Sequence, residues 1–150
     1  MAKSYYSMVL DHPADEVWTT IRRFDHYTWT GVEGETVIED GKAADQVGAV
    51  RRFTDQRGGS IRQVLLAHSD IDRSYMYAFS GAPTIPVVDY QATIRVVPVT
   101  ADNRSLVEWW ATFDCAIEDR DKWVKHLEEA GFAKCLGALR RFMSNIGAAA

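Results

Sequence analysis

Read from the N-terminus, apolar positions recur at two different periods, and the changes of period divide the chain into elements. Residues 4–11 are rich in strand formers, and Asp11-His12-Pro13 ends that run. Proline suits a first helical turn and Asp or His can cap it, so a helix is predicted from Pro13 to Arg23. Val17, Trp18 and Ile21, with Phe24 beyond, keep helical spacing there, and Asp15 and Glu16 sit where the helix dipole favours acids. A second short helix is predicted over Asp25 to Thr30.

Six β-rich stretches follow, near 32–39, 47–55, 60–69, 74–80, 88–99 and 105–115. Turn clusters separate them: Glu39 to Lys42, Asp55 to Ser60, Asp70 to Arg73 and Thr100 to Asn103. Such short connections predict an antiparallel meander, because parallel pairing needs long crossovers. From about 119 to 147 the chain has no proline and repeats apolar positions at Val124, Leu127, Gly131, Cys135, Leu139, Phe142 and Ile146, which predicts a long helix with one buried face. The order predicts an α+β fold of one domain over 1–150. A curved antiparallel sheet of about seven strands wraps the C-terminal helix, with two short helices after the first strand.

Several stretches carry a family resemblance in the matching order: His12-Pro13-Ala14-Asp15-Glu16-Val17-Trp18, Phe24 followed by Trp29, Val47-Gly48-Ala49-Val50-Arg51, Pro83-Thr84-Ile85-Pro86-Val87-Val88-Asp89-Tyr90, and Val107-Glu108-Trp109 to Phe113. On these the chain resembles the Bet v 1-like, START-related (SRPBCC) superfamily with the helix-grip fold, and within it the bacterial polyketide cyclase/dehydrase-like group. The resemblance implies an internal cavity for a small hydrophobic or aromatic molecule, in a superfamily that includes lipid carriers, hormone receptors and cyclases. That group often has a glutamate where this chain has Gln63, so an ionisable base is missing there.

Strand residues two apart share a face, which predicts the cavity lining. Ala49, Arg51 and Phe53 would face inward, as would Ile61, Gln63, Leu65 and Ala67. Tyr75, Tyr77 and Phe79 continue the lining, followed by Tyr90, Ala92, Ile94 and Val96, then Val107, Trp109, Ala111 and Phe113. Trp29, Leu127, Gly131 and Cys135 would close it from the helical side. Arg51 and Gln63 stand out, since an unpaired guanidinium or amide is costly to bury. Either Arg51 donates a forked pair of hydrogen bonds to a ligand oxygen, or it pairs internally, or a one-residue register shift turns it to solvent.

Composition narrows the function classes. The chain is 47% hydrophobic and 25% charged, as ordinary folded domains are. A net charge of −4 without a basic block excludes a nucleic-acid partner, and no segment is long and apolar enough to span a membrane. Cys115 and Cys135 match no redox or metal spacing, and the N-terminus lacks a secretory core, so a cytoplasmic location is expected. His12, His26, His68 and His126 show no ligand spacing, so neither metal nor other cofactor is expected. His68 is predicted on the outer face of its strand.

Aromatics make up 11% of the chain. Adjacent Trp109 and Trp110 must point to opposite faces, and an outward Trp110 hints at a homodimer. Gly131 and Gly137 weaken the last helix, which points to room for a ligand or for close sheet contact. Three functions compete: a carrier of a small, partly apolar molecule such as a lipid or polyketide-like metabolite, a cyclase or dehydratase, and an interaction module with a filled core. In the enzyme reading Arg51 stabilises an enolate while Tyr77, Tyr90 or Asp89 moves a proton.

Overall fold

The computed structural model describes residues 1–55 and 57–149; Gln56 of the predicted Asp55–Ser60 turn lies outside them. Strand β1 (Ala2–Leu10) leads into helix α1 (Ala14–Ile21), and a 3₁₀ turn follows at Thr28–Thr30. Six strands then run as β2 (Val37–Ile38), β3 (Val50–Thr54), β4 (Ser60–Ser69), β5 (Ser74–Phe79), β6 (Val88–Val99) and β7 (Arg104–Asp114). The chain ends in one long helical run: α2 (Arg120–His126), a π-type stretch Leu127–Ala133, and α3 (Lys134–Ala149).

All seven strands form one antiparallel sheet in the order β1-β7-β6-β5-β4-β3-β2. The first strand therefore pairs with the last, Tyr6 opposite Trp109. A curved sheet gripping a long terminal helix is the helix-grip fold, as the element order predicts. Its concave face and the helix share the core, which includes Val17, Ile21, Ile94, Val107, Phe113, Leu136 and Leu139. No helix among the described residues is long and apolar enough to cross a membrane.

Four local features depart from the pattern reading. Helix α1 starts without a side-chain cap. Neither Asp11 nor His12 supplies one; the Pro13 carbonyl accepts the first N–H groups, from Glu16 at 3.1 Å and Val17 at 3.2 Å. The second short helix is a single 3₁₀ turn of three residues rather than the six-residue span Asp25–Thr30.

In β4 a bulge between Leu65 and Ala67 inserts one residue and reverses the alternation. Ala67 is consequently exposed, whereas His68 turns inward opposite Tyr75 and packs against Trp18 with ring centroids 5.4 Å apart. In the C-terminal helix the π-type stretch adds a residue to one turn and advances the buried face. Leu127, Phe132, Leu136, Leu139 and Met143 are buried, in place of Gly131, Phe142 and Ile146 from the predicted stripe. Close sheet contact does not explain Gly131 or Gly137. A Cβ on Gly131 would meet nothing within 4 Å, and one on Gly137 only the end of Arg141 at 3.7 Å.

The inward turn of His68 joins a surface network. Asp70 accepts hydrogen bonds from Trp18 Nε1 at 2.9 Å, from Arg22 Nε and Nη2 at 3.0 Å each, and from His68 Nε2 at 3.1 Å. Arg22, then the indole N–H, hold the Asp70 carboxyl well below the usual carboxylate range. A depressed folded value means that this stability is fully present above the unfolded value of about 3.9 and is lost as pH falls through the folded value. Asp70→Asn is therefore expected to flatten the fall of melting temperature with acidification below about pH 4. An unchanged slope would show that the network does not couple to folding.

Candidate functional site

The site centres on one cation in an apolar interior. Arg51, on β3, is 0% exposed, because the alternation that buries Ala49 and Phe53 turns it to the concave face as well. Its Nε donates to Gln63 Oε1 at 2.8 Å, directly across the β3–β4 pair. Nη1 donates more weakly to the Phe24 carbonyl at 3.4 Å and the Tyr75 hydroxyl at 3.5 Å. Nη2 is buried without a partner, and among the described residues no carboxylate pairs with the guanidinium.

Aromatic rings replace the missing counter-ion. The guanidinium carbon lies 4.0 Å from the Tyr27 ring centroid, 4.1 Å from that of Phe24 and 4.9 Å from that of Tyr77. Phe53 and Tyr75 stand farther out, at 5.9 and 5.8 Å. A desolvated cation gains up to about 2 kcal/mol over such a face, so the cage offsets part of a burial cost of several kcal/mol. The arginine stays charged, since its free-solution value lies above 12.

Hydroxyls ring the same space. Trp109 Nε1 donates to the Tyr77 hydroxyl at 3.1 Å, and the Tyr77 hydroxyl lies toward that of Tyr90. Burial pushes the phenols of Tyr27, Tyr77 and Tyr90 well above the ordinary tyrosine range, so all three remain protonated at neutral pH. From α3, Cys135 faces the cluster, and burial raises its thiol to about 11.

Beyond the cage the interior is packed. Trp109 stacks on Phe132 at 5.1 Å and meets Trp29 at 5.8 Å, while the Trp29 Nε1 is spent on the His26 carbonyl at 2.8 Å. Leu65, Ile94 and Leu127 are buried among these side chains. Phe79 and Tyr90 pair at 4.8 Å and also line a depression of about 610 Å³ with Gly81, Pro83, Val87 and Val88. Tyr90 thus reaches the outer depression from the face of β6 that also buries Ala92 and Ile94.

The predicted lining residues Arg51, Phe53, Gln63, Tyr75, Tyr77, Tyr90 and Cys135 gather at the cage. Trp29 and Trp109 belong to the packed stack, and Phe79 to the mouth. Asp89, a candidate acid-base group, is exposed at a second bulge between Val88 and Gln91, with φ +54°. Of the Arg51 donors, Nε and Nη1 have partners within the chain and Nη2 has none among the described residues.

The alternation argument missed Phe24 and Tyr27, the nearest two rings, because both lie outside any strand. Their i,i+3 spacing beside a predicted helix end was the available signal. Trp110 faces away from the core and lies under the Lys3 ammonium, 5.7 Å from its ring centroid. This cover accounts for the outward indole within the chain itself.

Fold and cage together define a helix-grip protein of the Bet v 1-like, START-related superfamily. The chain belongs to the family described as polyketide cyclase / dehydrase and lipid transport, whose model matches residues 1–150. It is similar to a protein of Thermobifida fusca solved by solution NMR, at 26% identity and TM-score 0.83, covering 93% of this chain and 91% of that one. Protein XoxI of Bacillus cereus is similar at 28% identity and TM-score 0.81, covering 98% and 99%. Norcoclaurine synthase from Thalictrum flavum, solved with dopamine and hydroxybenzaldehyde, shares the fold at 15% identity and TM-score 0.69, covering 95% and 86%. No curated protein matches the sequence.

Proposed function

We propose that this protein binds a small, partly apolar, ring-bearing molecule between the sheet and the C-terminal helix, with Arg51 as its polar anchor. The buried, unpartnered Nη2 carries this reading. A buried donor left unmade costs about 1–3 kcal/mol, and more on a charged group, which a ligand oxygen would recover. The aromatic cage supplies the apolar remainder of the contact. The family description, which joins cyclases with lipid transport, supports either a carrier or a cyclase.

Binding is favoured over catalysis by the state of the candidate acid-base groups. Tyr77 and Tyr90 are held neutral by burial, and Asp89 is exposed away from the cage. Neither phenol is a base poised near neutral pH, and Asp89 does not face the cage. The filled-core interaction module draws support from the Trp29–Trp109–Phe132 stack, but it leaves Nη2 unexplained.

Native mass spectrometry of the freshly purified protein is expected to show a bound small molecule that solvent extraction removes. Cys135 gives a second readout, since a thiol raised to about 11 alkylates slowly at pH 8 and a ligand in the cage slows it further. Identical Cys135 alkylation before and after extraction, with no mass adduct, would defeat the proposal.

A further inference from the structure

Hydrogen-bond accounting at the cage reaches further than the presence of a ligand. We infer that the caged arginine selects a flat oxyanion that accepts hydrogen bonds and donates none, an aromatic or conjugated carboxylate or enolate, over its neutral amide or its ammonium analogue. This rests on the cage around Arg51 being a ligand site, and concerns which chemistry that site admits.

Two of the oxygens nearest the guanidinium already accept from it. Gln63 Oε1 takes the Arg51 Nε–H, and the Phe24 carbonyl takes a share of Nη1. Donors remain. Nη2 brings two N–H groups with no partner among the described residues. Tyr75 accepts from Nη1 and Tyr77 accepts from Trp109, so each hydroxyl oxygen is engaged while its own proton is free to point onward. The Trp109 indole N–H on the Tyr77 hydroxyl oxygen leaves the Tyr77 proton to be given elsewhere. Burial keeps the Tyr27, Tyr77 and Tyr90 phenols protonated, which preserves them as donors.

A carboxylate offers the Nη2 pair two charged acceptor oxygens, whereas an amide offers one neutral oxygen and an ammonium offers none. Charge acts in the same direction, because Arg51 has no counter-ion and an anion supplies one. Shape follows from the rings. Phe24 and Tyr27 lie about 4 Å from the guanidinium carbon and Tyr77 lies at 4.9 Å, so a flat, ring-bearing anion has faces to pack on beside the cation.

The test compares 2-naphthoate, 2-naphthamide and 2-naphthylmethylamine on the parent protein by calorimetry, with Cys135 alkylation as an independent reporter. Naphthoate is expected to bind at least 10-fold more tightly than the amide, with the ammonium weakest. Tyr90→Phe, which keeps the ring, is expected to weaken naphthoate several-fold and the amide less. Equal affinity for acid and amide, or ammonium binding as tight as the acid, overturns the selectivity while leaving the cage as a ligand site intact. Failure of all three arenes to bind or to slow Cys135 alkylation overturns the reading of the cage as a ligand site, and the selectivity with it.

Discussion

Replacing Arg51 by methionine together with Gln63 by leucine is expected to leave the melting temperature unchanged or raise it, while abolishing anion binding. A buried cation without a counter-ion carries a desolvation cost of several kcal/mol, and well-packed apolar residues of similar volume commonly match or exceed such groups in stability, by about 1–4 kcal/mol. Against this stand the Phe24, Tyr27 and Tyr77 faces, at up to about 2 kcal/mol each, part of which a methionine sulfur retains. Arg51→Met alone should be less stable than the double variant, because Gln63 Oε1 would lose the Nε–H now 2.8 Å away and remain buried. Thermal unfolding decides the matter. A loss of 3 kcal/mol or more in the double variant would mean that Arg51 is a clasp holding the Phe24–Tyr27 segment to the sheet, not a group kept for a ligand.

The second large effect is expected at the packed stack. Trp109→Ala should cost about 3–5 kcal/mol, a drop of roughly 10 °C in melting temperature, because it opens a cavity between Trp29 and Phe132 that neither ring can collapse into. It also removes the donor to the Tyr77 hydroxyl. Trp110→Ala, one residue along, should cost under ~1 kcal/mol, since it loses mainly the exposed cover under Lys3. Chemical denaturation of the two variants side by side tests the facing of β7, and similar losses would contradict it.

The two pairs of variants divide the interior into halves with different purposes. Near Trp29, Trp109 and Phe132, ring against ring leaves nothing for a ligand to add, and stability is at stake. Around Arg51 the rings surround a donor that has no acceptor, and the interior is less stable than an apolar equivalent would be. Strain of that kind persists in folded proteins chiefly where binding or chemistry uses it.

The helix-grip architecture was legible in the order of periods along the chain. So was the inward set on β3, β5, β6 and β7, because strict alternation leaves one choice of face once a strand's core residues are known. Arg51 and Gln63 were visible for the same reason, as polar letters on an apolar face. Three things were not. The bulge in β4 turned His68 inward, the π-type stretch moved the helix face onto Phe132 and Leu136, and the turn after α1 brought Phe24 and Tyr27 onto the guanidinium.

Periodicity assumes uniform geometry, and one inserted residue changes the phase of everything beyond it. Such an insertion is settled by packing between elements far apart in sequence, which no local pattern records. The amino-acid pattern alone marks Arg51 as a cation among residues expected on the apolar face, with a one-residue register shift as the alternative. Only the assembled tertiary structure decides that two rings from a loop enclose the cation, that a glutamine across the strand takes one of its donors, and that another is buried without an acceptor.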